Sequence, residues 1–404
     1  MVLIPSSDNQ NALNRPLELP CGTVLKNRLV KTAMSDALGD GCGNATQRQA
    51  RLYERWASGG VALSIIGEVQ VDPRYPEGPG NLVMLSSADQ KKLEVLAREG
   101  SRHGTKLWPQ LGHAGALACS ALSHRKGPSA INIGGLHCEE MSVAEIHELP
   151  ERYAHAVRIA KKAGFGGVQI HAGHGFLLSQ FLCPLFNRRT DEYGGSVEAR
   201  FSIIAKILAA VRKAAGPDFP VGIKINSTDN LEGGFTEKDA LEVVRMLNKT
   251  TVDLIEISGG TYFPGAASGS DNVITGKPYY IEFARRAKME TSVPIVVTGG
   301  FKTLQQALEA VSNDGIDMIG MGRAMALNPR LARDWTQSRG ADPEFPVFEK
   351  KLPGGVTAWY SMLLEALSVD SEHDYRPDIQ DAVRIFKKRD TERYKNWLRS
   401  FQSP

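Results

Sequence analysis

Residues 168–186 read VQIHAGHGFLLSQFLCPLF, and this stretch organises the interpretation of the whole chain. An apolar run of β-strand character ends at Ile170. Histidines follow at positions 171 and 174, each with a glycine within two residues, and a segment of helical character begins after them. Because a strand holds its end still while the following turn exposes its side chains, two imidazoles at this spacing predict an active site.

The composition is that of an ordinary globular protein with a sizeable core. Of the 404 residues, 42% are apolar and 23% are charged, and the formal net charge is +3. This near-balance does not favour nucleic acid or a membrane as the partner. The five cysteines are scattered without a CxxC pair, and the sequence shows neither a signal peptide nor an apolar run of the roughly 18 residues that a membrane span needs. We therefore expect a cytoplasmic protein with reduced thiols.

Short apolar runs alternate with segments of helical spacing over most of the chain. The runs lie at 28–34, 61–66, 106–110, 167–170, 221–225, 254–257, 294–298 and 317–321. Continuous apolar runs are typical of parallel strands buried on both faces, and such βα units form either an open doubly wound sheet or a closed barrel. The count of eight, and the absence of GxGxxG at the first helix, favour an α/β fold of the (β/α)8 TIM-barrel class.

The chain divides at about residue 335 in this interpretation. Residues 1–335 form the barrel domain, which begins with a small hairpin within PLELPCGTVLKN before the first barrel strand. Residues 115–149 show no clear periodicity. Residues 336–404 break the βα pattern and end in a basic, aromatic segment. We expect this extension to pack on the barrel or on a partner subunit, which leaves a homo-oligomer open.

Polar residues and glycines follow every predicted strand, at the end of the barrel where such folds bind ligands. The seventh and eighth strands are followed by Gly299-Gly300 and by Gly322-Arg323. Backbone N–H groups at glycines, a helix start and a fixed cation together favour a bound phosphate. A phosphorylated cofactor or substrate is therefore expected, with its other end directed toward Gln110, Lys224 and the two histidines.

Several motifs carry a family resemblance. The segment IHAGHGFLLSQFLCPLFNRRTDEYGGSVEARF (170–201), with WPQLGHAG (108–115), IEISGG (255–260), VVTGGF (296–301) and IGMGRA (319–324), resembles the Old Yellow Enzyme family in the same order. The resemblance implies a (β/α)8 barrel that binds FMN. It also implies an NAD(P)H-dependent oxidoreductase in which NADH or NADPH reduces the flavin before an electron-poor small molecule reoxidises it by a ping-pong mechanism.

The resemblance assigns cofactor contacts residue by residue. They fall on Ala33, Met34, Ser35, Gly67, Gln110, Lys224, Gly299, Gly300, Gly322 and Arg323. Ser35 matches the position that hydrogen-bonds flavin O4, and Gln110 matches the amide at the pyrimidine edge. Lys224 matches a cation near flavin N1 and O2, where a positive charge stabilises the reduced flavin.

His171 and His174 match the pair that polarises the oxygen of an α,β-unsaturated carbonyl, so that hydride from flavin N5 reaches the β-carbon. The family usually has a proton-donating tyrosine two residues after the second histidine, but this chain has Phe176. Tyr262 and Tyr53 are alternative donors. We expect Phe176, Asp36 and Tyr262 to contact the substrate, with Asp36 making the mouth of the site more acidic.

The missing tyrosine keeps other functions open. Quinone or nitro reduction, or isomerisation through the flavin, needs no acid at position 176. A flavin-binding protein with weak or regulatory chemistry is a further alternative. A metal-dependent lyase or hydrolase using the histidines is disfavoured because no third ligand stands at matched spacing, so we expect no metal.

Overall fold

The computed structural model describes residues 12–264, 266, 277–348 and 352–401. Eight parallel strands form the centre of the fold: β1 (Leu29–Lys31), β2 (Leu63–Gln70), β3 (Lys106–Gly112), β4 (Val168–Ala172), β5 (Val221–Asn226), β6 (Leu254–Ser258), β7 (Ile295–Thr298) and β8 (Met318–Met321). The last strand pairs with the first, so the sheet closes. The predicted (β/α)8 barrel is confirmed.

Helices surround the barrel in the expected alternation. They are α1 (Gln47–Ser58), α2 (Gln90–Gly100), α3 (Val143–Lys162), α4 (Leu177–Leu182), α5 (Val197–Ala215), α6 (Glu237–Leu247), α7 (Ile281–Lys288), α8 (Leu304–Ser312), α9 (Arg323–Leu327) and α10 (Leu331–Thr336). Side chains of Thr46, Ser196 and Thr303 accept backbone N–H groups at three of the helix starts. Such caps satisfy donors that the helix itself leaves unpaired, which explains why these helices begin where they do.

The predicted hairpin before the barrel is present as two antiparallel strands, Leu17–Glu18 and Val24–Leu25. Residues 115–149 show no clear periodicity in sequence, but the structure has regular elements there. Strands Ile131–Ile133 and Leu136–Glu140 form an antiparallel hairpin, and α3 already begins at Val143. A capping box between Ser142 and Glu145 starts α3 about two turns before Pro150.

The C-terminal extension contains α11 (Gly355–Leu367) and α12 (Ile379–Phe401). The Trp397 indole of α12 donates to the Pro73 carbonyl oxygen at 3.1 Å, and Arg393 donates to the Ala37 carbonyl oxygen at 2.6 Å. Ala37 and Pro73 lie in the loops that follow β1 and β2. The last helix therefore packs on loops at the same end of the barrel as the strand termini that carry the candidate site.

A polar layer crosses the barrel interior above an apolar one. The apolar layer is a buried cluster that includes Val30, Leu63, Ile65, Trp108, Leu254, Val296 and Met318. Lys224 of β5 pairs in register with His171 of β4 and with Glu256 of β6, so these three polar residues lie at one level of the sheet. In the described part of the chain, no helix is long and apolar enough to cross a membrane.

Candidate active site

The turn after β4 fixes the second histidine. His174 adopts a positive φ of 59°, which is uncommon outside glycine, and its backbone N–H donates to Asn226 Oδ1 at 2.9 Å. The Tyr262 N–H donates to the His174 carbonyl oxygen at 3.1 Å. A side chain on Gly173 would meet Asn226 Oδ1 at 2.9 Å, so the turn needs glycine there. The turn thereby holds both histidines at the carboxyl end of β4.

The two imidazoles lie side by side. Their ring centroids are 5.3 Å apart and their planes meet at 80°. His171 Nδ1 accepts the Gly173 N–H at 3.4 Å, which leaves the proton on His171 Nε2. His174 Nε2 lies 2.9 Å from Ser258 Oγ. Ser258, at the end of β6, is thus a site residue that the sequence interpretation did not single out.

Both imidazoles are neutral at physiological pH. Burial lowers the pKa of His171 well below its usual value, and the neighbouring His174 and Lys224 add to the shift. Burial and the Lys224 charge likewise lower the pKa of His174. A neutral imidazole carries a single N–H, so each ring can donate one hydrogen bond to a substrate oxygen without bringing a positive charge.

Aromatic residues form a wall beside the pair. The Phe176 ring centroid lies 5.0 Å from that of His171 and 5.9 Å from that of Tyr262. Tyr262 lies 6.0 Å from His174 and is 66% exposed. The structure thus places Phe176 and Tyr262 with the histidines, where a substrate contact was predicted. Tyr53 is fully buried and donates its hydroxyl to Asp36 at 3.0 Å, which removes it as a proton donor.

Asp36 has a different role from the one expected. Its carboxylate is buried and accepts hydrogen bonds from Gln49 and Tyr53 of α1 and from the Leu38 N–H. The chain turns immediately afterwards at Ala37, which adopts a φ of 47°. A carboxylate committed to these donors ties the loop after β1 to α1, so it does not make the mouth of the site more acidic as predicted.

Lys224 lies in a buried polar network inside the barrel. Its ammonium is 3.0 Å from Glu256 Oε1 and 3.3 Å from Thr32 Oγ1. Glu256 also accepts from Thr298 Oγ1 at 2.7 Å and from Gln169 Nε2 at 2.7 Å, and Thr32 donates to it as well. Gln169 Oε1 in turn accepts from Gln110 Nε2 at 2.7 Å. The predicted cofactor residues Gln110 and Lys224 are therefore connected through one carboxylate.

Sequence reasoning missed Glu256 and Gln169 because the motifs of the family resemblance assigned no role to either residue. Both lie within strands that otherwise read as apolar, VQIHA and LIEIS. A charged or amide side chain inside a strand buried on both faces needs a partner, because an unpaired buried polar group costs about 1–3 kcal/mol. That exception to the apolar pattern was the available signal.

The remaining predicted cofactor residues form a continuous strip along the strand ends. A side chain on Gly67 would clash with the Met34 backbone at 2.4 Å, and one on Gly322 would meet Met34 Sδ at 3.3 Å. Ala33 and Ser35 flank Met34 and are half-buried. The strip thus brings the ends of β1, β2 and β8 together.

The predicted phosphate end has tight backbone turns. Gly299 and Gly300 adopt φ values of 124° and 84°, which favour glycine. Rings of Tyr279 and Tyr280 pack on these glycines, and Arg323 lies 5.8 Å from the Tyr360 ring of α11. The C-terminal extension therefore contacts the predicted phosphate cation.

The family comparison agrees with this geometry. Residues 12–341 match the NADH:flavin oxidoreductase / NADH oxidase family. The chain belongs to the Old Yellow Enzyme family. It is therefore an NAD(P)H-dependent flavin oxidoreductase, as the sequence motifs predicted, and FMN with NADH or NADPH are its cofactors.

Individual relatives support the same membership. The chain is 34% identical over 355 residues to the NADH-dependent flavin oxidoreductase iliE of Hypocrea jecorina, covering 79% of this chain and 87% of that one. It is 28% identical over 325 residues to an NADPH dehydrogenase of Clostridium acetobutylicum, covering 80% and 94%. A 2-naphthoyl-CoA reductase complex superposes with a TM-score of 0.76 and 26% identity over 82% of this chain. The superposed region covers about half (53%) of the reductase chain.

The residues present fit FMN as this Old Yellow Enzyme's cofactor. Gly67 and Gly322 pack against Met34, and Gly299 packs against the rings of Tyr279 and Tyr280, so these strand ends approach their neighbours more closely than side chains would allow. Gln110 supplies an amide and Lys224 a buried cation near the histidines, and Arg323 lies at the phosphate end. Among the described residues, no group of three or more His, Cys, Asp or Glu side chains could hold a metal ion.

Proposed function

We propose that this enzyme passes hydride from FMN, reduced by NADH or NADPH, to an α,β-unsaturated carbonyl compound by a ping-pong mechanism. The observation that carries the proposal is the pair of neutral imidazoles at the carboxyl end of β4, with ring centroids 5.3 Å apart. FMN supplies the hydride-transfer chemistry when bound. The side chains of this chain bind the acceptor, orient it and polarise its oxygen.

His171 is the better defined of the two donors. Its Nδ1 accepts a backbone N–H, so its Nε2–H is available to the substrate oxygen. His174 has Ser258 Oγ within 2.9 Å of Nε2, and a serine hydroxyl can donate or accept. Preorganised donors of this kind stabilise the negative charge that develops on the oxygen as hydride reaches the β-carbon.

Reduction of a carbon–carbon double bond also needs a proton at the α-carbon. Phe176 has no exchangeable proton, whereas Tyr262 lies beside both Phe176 and His174 and is exposed. We assign the proton to Tyr262 or to water at that exposed edge. Because Phe176 replaces the acid, quinone or nitro reduction, or isomerisation through the flavin, remains the second candidate function.

A cavity on the segment between β3 and α3, the lid, suits the phosphates of the nicotinamide dinucleotide. It has a volume of about 820 Å³ and is lined by the Ile131–Ile133 and Leu136–Glu140 hairpin with Arg125 and Arg188. Each guanidinium donates to a backbone carbonyl, Ala118 at 2.6 Å and Ala130 at 2.7 Å. Neither forms an ion pair with a described carboxylate, so both can bind an anion.

Anaerobic stopped-flow spectroscopy tests the proposal in two steps. The purified protein should show flavin absorbance that NADH or NADPH bleaches, and 2-cyclohexenone should then restore it. Restoration by 1,4-benzoquinone alone would favour the second candidate function. Flavin absorbance that no acceptor restores would contradict the oxidoreductase assignment.

The lid cavity has its own test. Replacing both Arg125 and Arg188 by Gln should raise the KM for the dinucleotide about a hundredfold, because each charge-assisted contact is worth about 1.5 kcal/mol or more, or about tenfold. The control is Arg384→Gln, which removes an exposed arginine on α12 paired to Asp381. An unchanged KM in the double variant would place the dinucleotide elsewhere.

A further inference from the structure

We propose that Glu256 sets the reduction potential of the bound flavin, because it offsets the charge of Lys224 and fixes the direction of the Gln110 amide. The inference rests on the proposed function and on the expectation, from the family resemblance, that Lys224 and Gln110 contact the pyrimidine edge of FMN. Glu256 contacts Lys224 directly and Gln110 through Gln169, so it is a positioning residue.

Glu256 neutralises the charge of Lys224. Lys224 and Glu256 occupy paired positions on adjacent strands, and their charged groups are 3.0 Å apart. Both side chains are almost completely buried, so water screens the pair only weakly. The cation that should stabilise the reduced flavin therefore acts together with a carboxylate, and the pair has no net charge.

The carboxylate is held in its ionised form. Burial acts to raise the pKa of Glu256, but the Lys224 charge and the hydrogen bonds from Thr32, Gln169 and Thr298 outweigh it, and the pKa lies below its usual value. An ionised carboxylate can only accept hydrogen bonds. Every neighbour must therefore present a donor to it.

Glu256 also fixes the direction of two side-chain amides. Because Glu256 only accepts, Gln169 must direct its Nε2 toward it, at 2.7 Å, and its Oε1 away from it. That oxygen accepts from Gln110 Nε2, also at 2.7 Å. Gln110 thus has its nitrogen toward the network, and its carbonyl oxygen is left to accept from the cofactor. Glu256 fixes an orientation that an isolated glutamine amide would leave open.

The consequence is a lower reduction potential than Lys224 alone would produce. Two-electron reduction places negative charge on the pyrimidine edge of a flavin, and a nearby positive charge favours that state. Replacing Glu256 by Gln leaves Lys224 uncompensated, so the potential should rise. Replacing Lys224 by Gln leaves the carboxylate uncompensated, so it should fall.

The test measures the midpoint potential of the FMN-loaded protein by equilibration with redox dyes. We expect Glu256→Gln to shift the two-electron equilibrium at least tenfold toward reduced flavin, which corresponds to about +30 mV. Lys224→Gln should shift it in the opposite direction, and the double variant should return close to the wild-type value. The affinity of each apoprotein for FMN, followed by flavin fluorescence, gives a readout independent of turnover.

Asp253→Asn is the matched control. Asp253 is also buried and precedes β6, but it lies at the opposite end of that strand and pairs with Arg212 at 2.6 Å. The substitution removes the same charge as Glu256→Gln. It should leave the midpoint potential within about 10 mV of the wild-type value, a third of the shift expected for Glu256→Gln. If Glu256→Gln does not hold FMN, the midpoint potential of the double variant is compared with that of Lys224→Gln. The double variant should then favour reduced flavin by the same tenfold factor.

The outcomes separate the two levels of inference. A wild-type enzyme that binds FMN and turns over acceptor, with an unchanged potential in Glu256→Gln, overturns the role of Glu256 and leaves the proposed function standing. A double variant that shifts as far as Glu256→Gln also overturns the charge argument. A wild-type protein that takes up no FMN contradicts the proposed function itself.

Discussion

Removing either histidine should slow reoxidation of the reduced flavin without preventing the protein from binding FMN. In the structure each imidazole is neutral, because its pKa is lowered, and can contribute one N–H. Loss of one preorganised donor to a developing oxyanion costs roughly 2.7–4 kcal/mol, a factor of about 10²–10³ in rate. We expect this factor for His171→Ala, because the Nε2–H of the wild-type His171 has no competing partner among the described hydrogen bonds.

His174 should behave differently because Ser258 already lies within hydrogen-bonding distance of its Nε2. The loss in His174→Ala should be at the lower end of that range. Since both donors bind the same oxygen, the double variant should lose less than the product of the two single effects. His171→Asn, which restores an N–H donor, should recover part of the rate.

The assay is anaerobic stopped-flow reoxidation of NADH-reduced enzyme by 2-cyclohexenone, with saturation in acceptor to separate the rate from affinity. His373→Ala is the control, because that imidazole lies on the surface with 90% of its side chain exposed. Reoxidation of both single alanine variants within about threefold of wild type would refute oxyanion stabilisation by this pair, given the 10²–10³ expected for one donor.

Three further predictions concern the surrounding structure. Burial lowers the pKa of His113 to about 4, so the folded protein binds fewer protons than the unfolded chain below pH 6.5. The free energy of unfolding should therefore fall by about 2 kcal/mol between pH 7 and pH 5, and urea unfolding of His113→Asn should lack this part of the pH dependence. Trp397→Ala should cost about 3–5 kcal/mol in urea unfolding, since this fully buried indole anchors α12 to the Pro73 loop, and an unchanged midpoint would contradict that anchor. Phe176→Tyr should raise the rate of 2-cyclohexenone reduction about tenfold or more if proton delivery limits it, and an unchanged rate would count against that limit.

The barrel could be predicted from sequence because its strands are continuous apolar runs, and strand order follows from chain order in a closed parallel barrel. The histidine pair could be predicted because both residues stand at the carboxyl end of an apolar run, one inside β4 and one in the turn that follows it. Asp36 also stands after a strand, yet its side chain faces α1 and pairs with Gln49 and Tyr53. Position after a strand therefore indicates the end of the barrel but not the direction of a side chain.

The unpredicted parts depend on contacts between residues distant in sequence. Glu256 contacts Thr32 and Gln169, which are 224 and 87 positions away. The packing of α12 on the loops after β1 and β2 likewise follows from Trp397 and Arg393 meeting backbone carbonyls more than 300 positions earlier. Local periodicity indicates that such helices exist, but it carries no information on where they dock.

The charges of the site limit where its proton can originate. Both imidazoles have a lowered pKa, and Lys224 is paired with an ionised carboxylate. Neither imidazole is therefore an acid that releases a proton near neutral pH. A hydride acceptor would be polarised by neutral N–H donors, while the proton must enter from a group in contact with water. Tyr262, exposed and within 6.0 Å of the His174 ring, is positioned for that transfer. Hydride and proton would then reach the substrate from separate parts of the site, which explains how the barrel can tolerate Phe176 in its wall.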